Sequence, residues 1–278
     1  ERVAFAVQEL REYPVGKVCR ILKVSRSSYY DTLRNGQRRR EHKAEERQAV
    51  YEAFHAHHGS FGRRMLRHIL QQRGIQFSEY KISKIMKELG FSAKYGRKRC
   101  KNVHTSQNTE KYIADNLFAA LTPEKRRQLK IWSMDFTEQK VDGKKVYTCG
   151  IISVNDKILT GFAQASSCTS ALACKAVRRA VAAYGAPDII MTDRGAQFTS
   201  RDFHDMMQGL AIRHSMSRPH KPVDNRFIET FWKSMKVEIG RLDLLNPETY
   251  RMVVEYYVYY YNHLRPHSSL GYRPPAST

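Results

Sequence analysis

Three carboxylates carry the chemistry this sequence offers. Asp135 closes the apolar run Ile131-Trp132-Ser133-Met134, Asp193 closes Ile189-Ile190-Met191-Thr192, and Glu229 lies on a stretch of helical period. An acid that ends an apolar strand is costly to bury unless it is paired or binds a metal. In open α/β sheets, ligands collect at the carboxyl ends of strands. Three hard oxygen donors with no Cys or His beside them suit Mg²⁺ or Mn²⁺ rather than zinc. One such acid alone most often ends in a turn or a salt bridge; three together point to a divalent-metal site.

The stretch 215–238, SMSRPHKPVDNRFIETFWKSMKVE, has to aim the third acid. Ile228, Phe231, Trp232 and Met235 fall at i, i+3, i+4 and i+7, which predicts a helix with one apolar stripe. Asn225, Glu229, Lys233 and Lys236 form the neighbouring stripe. The bland alternative is a surface helix with an ordinary Glu–Lys pair.

The elements around these acids predict a three-layer α/β domain over 128–245. Strands are expected at 128–139, ending near Asp135, then at 144–156 and 158–167. A helix at 170–185 closed by Gly185, a short buried strand at 187–193, and a helix over 199–210 follow. That second helix is expected to open with a Thr199–Asp202 capping box. A strand at 211–217 and the Glu229 helix complete the order βββαβαβα, a mixed sheet. Residues 246–267 read as a further helix capped near Asn246. Its Tyr256, Tyr257, Tyr259, Tyr260 and Tyr261 suit packing better than base stacking. RPPAST reads as a disordered or docking tail, so 246–278 forms a C-terminal helix and tail.

The rest of the chain is basic. The formal net charge is +21, and residues 1–130 hold 29 Lys and Arg against 13 Asp and Glu. Such a charge points to a polyanion, most often nucleic acid. Residues 14–34 predict a helix-turn-helix, with Val18, Cys19 and Leu22 on one face, a serine cap in the turn, and Tyr29, Tyr30 and Leu33 inward. Arg26, Ser27 and Ser28 would open its second helix and meet the major groove. Residues 1–40 are read as this module and 41–93 as a second helical DNA-binding module. In the latter, Ile82, Ile85, Met86 and Leu89 form a core stripe, and Lys81, Lys84 and Lys87 are candidate phosphate contacts. Residues 94–127 read as a basic linker.

His55, His57, His58 and His68 lack a cysteine pair at ligand spacing and do not read as a zinc site. The five cysteines show no disulfide framework and suit a reducing cytoplasm. No apolar run is long enough to span a membrane.

The blocks WSMDFTE, MTDRGAQFTS and DNRFIETFWKSMK resemble the DDE motif of retroviral-type integrases and bacterial transposases. Thirty-five residues separate Asp193 from Glu229, the spacing of that motif, and Lys236 falls seven after the glutamate. The segments VCRILKVSRSSYY, HGSFGRRML…RGIQFSEYKISKIMKELG and YYNHLRPHSSLGYRPPAST are similar to corresponding parts of transposases of the insertion sequence 3 family. The resemblance implies an RNase H-like core in which Asp135, Asp193 and Glu229 hold two Mg²⁺ or Mn²⁺ ions for phosphoryl transfer on DNA. It implies end cleavage, 3′-OH attack and a circular intermediate, with double-stranded DNA and further copies of the chain as partners. It implies a bacterial, nucleoid-associated setting, and an upstream helix-turn-helix and coiled-coil region joined by frameshifting. Lys236 and Lys233 would then hold DNA, with Arg194, Gln197 and Asn225 as secondary DNA or supporting contacts. The chain departs from the family at Pro219-His220-Lys221-Pro222, where a glycine-containing turn is common. Competing readings are a DNA-binding regulator on an inactive scaffold, an RNase H-type nuclease, and a retroviral-type integrase. The second expects an acid within 170–185, and the third a His/Cys zinc module.

Overall fold

The computed structural model describes residues 2–94, 112–218, 225–240 and 245–277. Cys100, half of the basic linker, and the Pro219–Pro222 turn lie outside the described residues. The chain divides into two compact units, Glu1–Ala93 and Lys94–Thr278.

The first unit is helical: α1 (Arg2–Glu9), α2 (Val15–Leu22), α3 (Arg26–His55), α4 (Arg63–Gln72) and α5 (Glu79–Glu88). Lys23 turns the chain in the left-handed region, and Ser25 then caps α3 by accepting the Ser28 N–H at 3.0 Å. Ala6, Val7, Val18, Cys19 and Tyr29 form a small core. Tyr30 and Leu33, expected inside, face solvent at 45 % and 38 % exposure. The reason is α1: it covers the face that Tyr29 serves, and one aromatic fills that space.

Helix α3 continues for 30 residues through Arg38-Arg39-Arg40, so the expected boundary at residue 40 falls inside a helix. Pairs at i, i+4 support it there: Asn35 donates to Asp31 at 2.9 Å and Gln37 to Glu41 at 3.0 Å. Its last turns supply Val50, Ala53 and Phe54 to a second core with Leu66, Ile69 and Leu70 of α4 and Ile82, Ile85 and Met86 of α5.

The second unit is built on a five-stranded sheet, β1 (Ile131–Val141), β2 (Lys144–Ser153), β3 (Leu159–Ala165), β4 (Ile189–Thr192) and β5 (Arg213–Met216). The strand order is β3-β2-β1-β4-β5, antiparallel among the first three and parallel from β1 through β5. Two short helices, α6 (Leu117–Ala120) and α7 (Pro123–Gln128), precede it. Phe118, Leu121 and Leu129 pack on Ile131, Val154, Ile189 and Met191. Much of the segment read as linker is therefore part of the sheet's packing.

Helices α8 (Ser170–Tyr184) and α9 (Arg201–Gly209) cover one face, sealing Trp132, Met134, Cys149 and Ile151. A Cβ on Gly161 would come within 2.7 Å of Ala180 Cβ, so this glycine lets α8 lie close on β3. The cap of α9 is Ser200, which accepts the Phe203 N–H at 3.3 Å, one residue later than the expected Thr199. The Thr199 hydroxyl instead donates to the Gly195 carbonyl at 3.4 Å, within the preceding turn.

The opposite face carries α10 (Arg226–Ile239) and α11 (Pro247–His263). Ile228, Phe231, Trp232 and Met235 are all buried, as their spacing requires. Asn246 caps α11 through the Thr249 N–H at 2.8 Å. The helix stops before its expected end because Pro266 pushes Arg265 out of helical backbone. Tyr257, Tyr260 and Tyr261 are buried, while Tyr256 and Tyr259 are exposed.

The tail is ordered rather than loose. His267 and Arg273 form a bridge, and Pro275 is buried against α11. The Asn262 side chain accepts the Leu159 N–H at 2.9 Å and donates to the Leu159 carbonyl at 3.1 Å, tying α11 to β3. Arg265 and Glu238 form a buried ion pair at 2.7 Å, and the Tyr257 hydroxyl donates to Glu238 at 3.1 Å. The mixed sheet between helical layers is the RNase H-like core, with helical elements on either side of it in sequence.

Candidate active site

Strand β1 positions Asp135. It does not end there: β1 continues in a hairpin to Val141, with Asp135 paired to Gly150 of β2. Its parallel pairing with β4 stops two residues earlier, at Ser133–Met191. Asp135 thus lies where the parallel half of the sheet has run out, at the crevice beyond the carboxyl end of β4. Strand alternation places it on the face of Ser133 and Gly150, toward α10.

Asp193 follows the last residue of β4. Its Oδ1 accepts the Gly195 N–H at 2.9 Å, which fixes the turn. The Ser217 N–H and hydroxyl both donate to the Thr192 carbonyl, at 2.9 and 3.0 Å, holding the ends of β4 and β5 together. Glu229 is in the first turn of α10.

Two contacts set how α10 approaches. The buried Asn225 side chain accepts the Ser133 hydroxyl at 2.5 Å and donates to the Met134 carbonyl at 3.2 Å. The Trp232 ring lies over Gly150, where a Cβ would come within 2.6 Å of it. Glu229 is thereby held between two anchors that both grip residues adjoining Asp135 in strand or register.

The three acids feel one another. Burial, then the Asp193 charge and more weakly Glu229, push the Asp135 carboxyl up to about 8, against the Phe136 N–H and Lys236. Desolvation raises Asp193 above its ordinary value, opposed by the Gly195 N–H. Glu229 is raised by desolvation and by Asp193. A cluster of carboxylates that hold protons too tightly is one whose charge a divalent cation would relieve. The donors are hard oxygens. The neighbouring Cys168 thiol is pushed up to about 11 by desolvation and by Asp135 and Asp193, so it offers no thiolate to a soft ion. The donor set fits Mg²⁺ or Mn²⁺. Among the described residues, no three His, Cys, Asp or Glu side chains stand close enough to share one ion. The acids are within electrostatic but not common ligating reach.

The remaining candidates divide by what they touch. Lys233 and Lys236 are exposed on α10, and Lys236 acts electrostatically on both Asp135 and Glu138. Asn225, expected as a DNA or supporting contact, is buried with its amide committed to β1. Arg194 Nε donates to the Ser217 carbonyl at 3.0 Å, and the Gln197 amide to the Cys168 carbonyl at 3.4 Å, so both brace the loops around Asp193. In the first unit, Ser27 is exposed, Ser28 bonds Ser25, and Arg26 folds over Gly16. Lys81 pairs with Glu46 and lies 4.4 Å over the Phe77 ring, while Lys84 and Lys87 point outward. Sequence reasoning passed over Ser133, Gly150 and Cys168. A glycine inside an otherwise strong strand pattern was the available sign of a close approach.

Residues 125–222 match the Integrase core domain family, 210–275 match a second Integrase core domain description, and 41–99 match an HTH-like domain. Over these stretches the chain is similar to integrase core domains, with a stretch similar to an HTH-like domain ahead of them. Over most of its length it is similar to transposases of insertion sequences of the IS3 family. It is 27 % identical to the transposase for insertion sequence element IS904 of Lactococcus lactis subsp. lactis (strain IL1403), over 80 % of this chain and 88 % of that protein. It is 26 % identical to transposase InsF for insertion sequence IS3A of Escherichia coli (strain K12), over 97 % of this chain and 95 % of that one. Among solved structures, the HTLV-2 integrase catalytic core domain in complex with magnesium is 17 % identical. It covers 53 % of this chain and 94 % of its own, with a TM-score of 0.44.

Proposed function

We propose that the protein is a transposase that binds the terminal inverted repeats of an insertion sequence and cuts and joins DNA strands at one active site. The observation that supports this most is that Asp135, Asp193 and Glu229, from three separate elements, lie within electrostatic reach at one edge of the sheet, each with raised proton affinity. The transposase names of the relatives favour the same reading.

In this mechanism the three carboxylates hold the divalent ions, two per site. When bound, these ions supply Lewis-acid stabilisation of the phosphate oxygens in the transition state. Water attacks the phosphodiester at the element end, a new P–O bond forms, the bond to the 3′ oxygen breaks, and a 3′-OH is released. That 3′-OH then attacks a second phosphodiester: a new P–O bond forms, the bond from that phosphorus to its own 3′ oxygen breaks, and that oxygen leaves as a new 3′-OH, with a circular form of the element as the intermediate. Lys233 and Lys236 neutralise the phosphates of the strand beside the acids. Asn225 and Trp232 keep Glu229 aimed at the cluster. Residues 1–40 and 41–93 recognise DNA, with Ser27, Lys84 and Lys87 as the outward side chains, and 128–245 performs the chemistry.

The test incubates the protein with a labelled element-end duplex and Mg²⁺ or Mn²⁺ and follows nicking and joining. Asp193→Asn and Glu229→Gln should abolish both while leaving duplex binding in place. Persistence of both activities in either variant rejects the assignment. Wild-type protein that binds ends yet never cuts them, with the upstream region supplied, favours a regulator instead.

A further inference from the structure

The outer face of α11 is the least explained surface of the second unit. Met252, Tyr256 and Tyr259 are 58 %, 60 % and 56 % exposed, and the His263 ring lies 4.8 Å from that of Tyr259. The opposite face of the helix is already buried through Tyr250, Val254, Tyr257 and Tyr261. The outer stripe is therefore additional to what packing this helix requires.

Two properties say what fits it. The first is charge. In a chain of net charge +21, residues 245–264 hold one Lys or Arg, Arg251, against Glu248 and Glu255. Both glutamates are exposed beside the stripe and would repel phosphates. Two copies of so basic a chain repel each other over most of their surface, but not here. The second property is spacing. Positions 252, 256, 259 and 263 are separated by four, three and four residues, which reads the same in either direction. A helix carrying that pattern matches itself when reversed, as a two-fold interface demands.

We infer that the Met252-Tyr256-Tyr259-His263 stripe of α11 is a two-fold contact with the antiparallel α11 of a second copy of this chain. Met252 of each copy meets His263 of the other, and Tyr256 meets Tyr259, in the seam of a short antiparallel coiled coil. One helix face is small beside a standard interface of roughly 800 Å² per partner. The contact is accordingly weak alone and is reinforced when DNA holds two copies together. The inference does not depend on the reaction proposed above.

The experiment compares the full chain with Tyr256→Lys/Tyr259→Lys by sedimentation equilibrium, with and without duplex DNA. The wild type should self-associate, and the variant should lose at least tenfold in association constant with an unchanged thermal melt. Separately, Met252→Cys/His263→Cys should form oxidised dimers well above the wild-type background, whereas Met252→Cys alone should not. A wild type that stays monomeric on and off DNA overturns the inference. So does a lysine variant that associates normally, or a cysteine pair that fails to cross-link. If the lysine variant alters duplex affinity while association is unchanged, the stripe is a nucleic-acid surface and the inference fails.

Discussion

Asn225 accepts a 2.5 Å hydrogen bond from the Ser133 hydroxyl, and through it the helix bearing Glu229 is pinned to the strand bearing Asp135. The same side chain reaches the Met134 carbonyl at 3.2 Å, one residue before the aspartate. An amide is well suited to this place because it accepts from a hydroxyl and donates to a carbonyl at once.

Asn225→Ala leaves two buried polar groups without partners, at a cost of about 1–3 kcal/mol. Strand cleavage should fall by tenfold or more, while the dissociation constant for duplex DNA stays within about twofold. A gel-shift titration beside a single-turnover cleavage assay separates the two quantities. A large loss of duplex affinity would mark Asn225 as a DNA contact after all.

The protonation of Asp135 predicts a pH dependence of opposite sign to that of an ordinary salt-bridged acid. An unfolded aspartate titrates near about 3.9, whereas folded Asp135 holds its proton up to about 8. The folded state binds more protons over that interval, so the associated stability is fully present below the lower value and is lost as pH rises through the upper one. Melting temperatures measured in chelator should decline from pH 5 toward pH 9 for this reason. Mn²⁺ should remove most of the decline, and so should Asp135→Asn without metal.

Gly150→Ala tests how α10 lies on the sheet. The added methyl meets the Trp232 ring at a distance atoms do not tolerate, and overpacking of this kind costs about 1–3 kcal/mol. A red-shifted Trp fluorescence and reduced cleavage should accompany the lower melting temperature. Gly150→Ala with Trp232→Phe should recover part of the stability, because the shorter ring clears the site.

Breaking the Glu238–Arg265 pair from one side should be severe. Arg265→Met strands a buried carboxylate, a loss of about 3–5 kcal/mol, whereas Arg265→Met with Glu238→Met should be far milder. Urea melts of the single and double variants give the comparison. Equal losses in both would mean that the pair contributes packing rather than charge balance.

Period and burial cost made much of this architecture readable in advance. The stripe Ile228, Phe231, Trp232 and Met235 could only belong to a helix laid on a core, and the runs ending in Asp135 and Asp193 could only be strands. The serine cap of the 14–34 turn and the Asn246 cap followed from local hydrogen bonding. What escaped the sequence was long-range. Nothing near Asn225 in the chain shows that Ser133 waits for its amide, and the extension of β1 past Asp135 depends on a hairpin partner rather than on its own residues. Asp135, Asp193 and Glu229 stood out in the sequence as a candidate site by their strand-end and helix positions. The Arg194 and Gln197 side chains, though polar and close by, are shown only by their partners to be braces. Tyr30 and Leu33 looked internal because their pattern is helical, but period alone does not say how wide the covering surface is.

The order in which the chain is made gives the Arg265–Glu238 pair a second meaning. Glu238 is synthesised well before its cation, and Asn262 reaches back to Leu159 across more than a hundred residues. A growing polypeptide interrupted between Glu238 and Arg265 has all three acids and both lysines of α10, yet its Glu238 carboxylate lacks the Arg265 counter-ion. The helix that carries Glu229 would then have to expose that carboxylate to water or loosen from the sheet. On the proposed reading, the placement of Glu229 is thereby tied to completed translation through the tail, and a chain unfinished at that point carries the acids without the clamp that holds their helix.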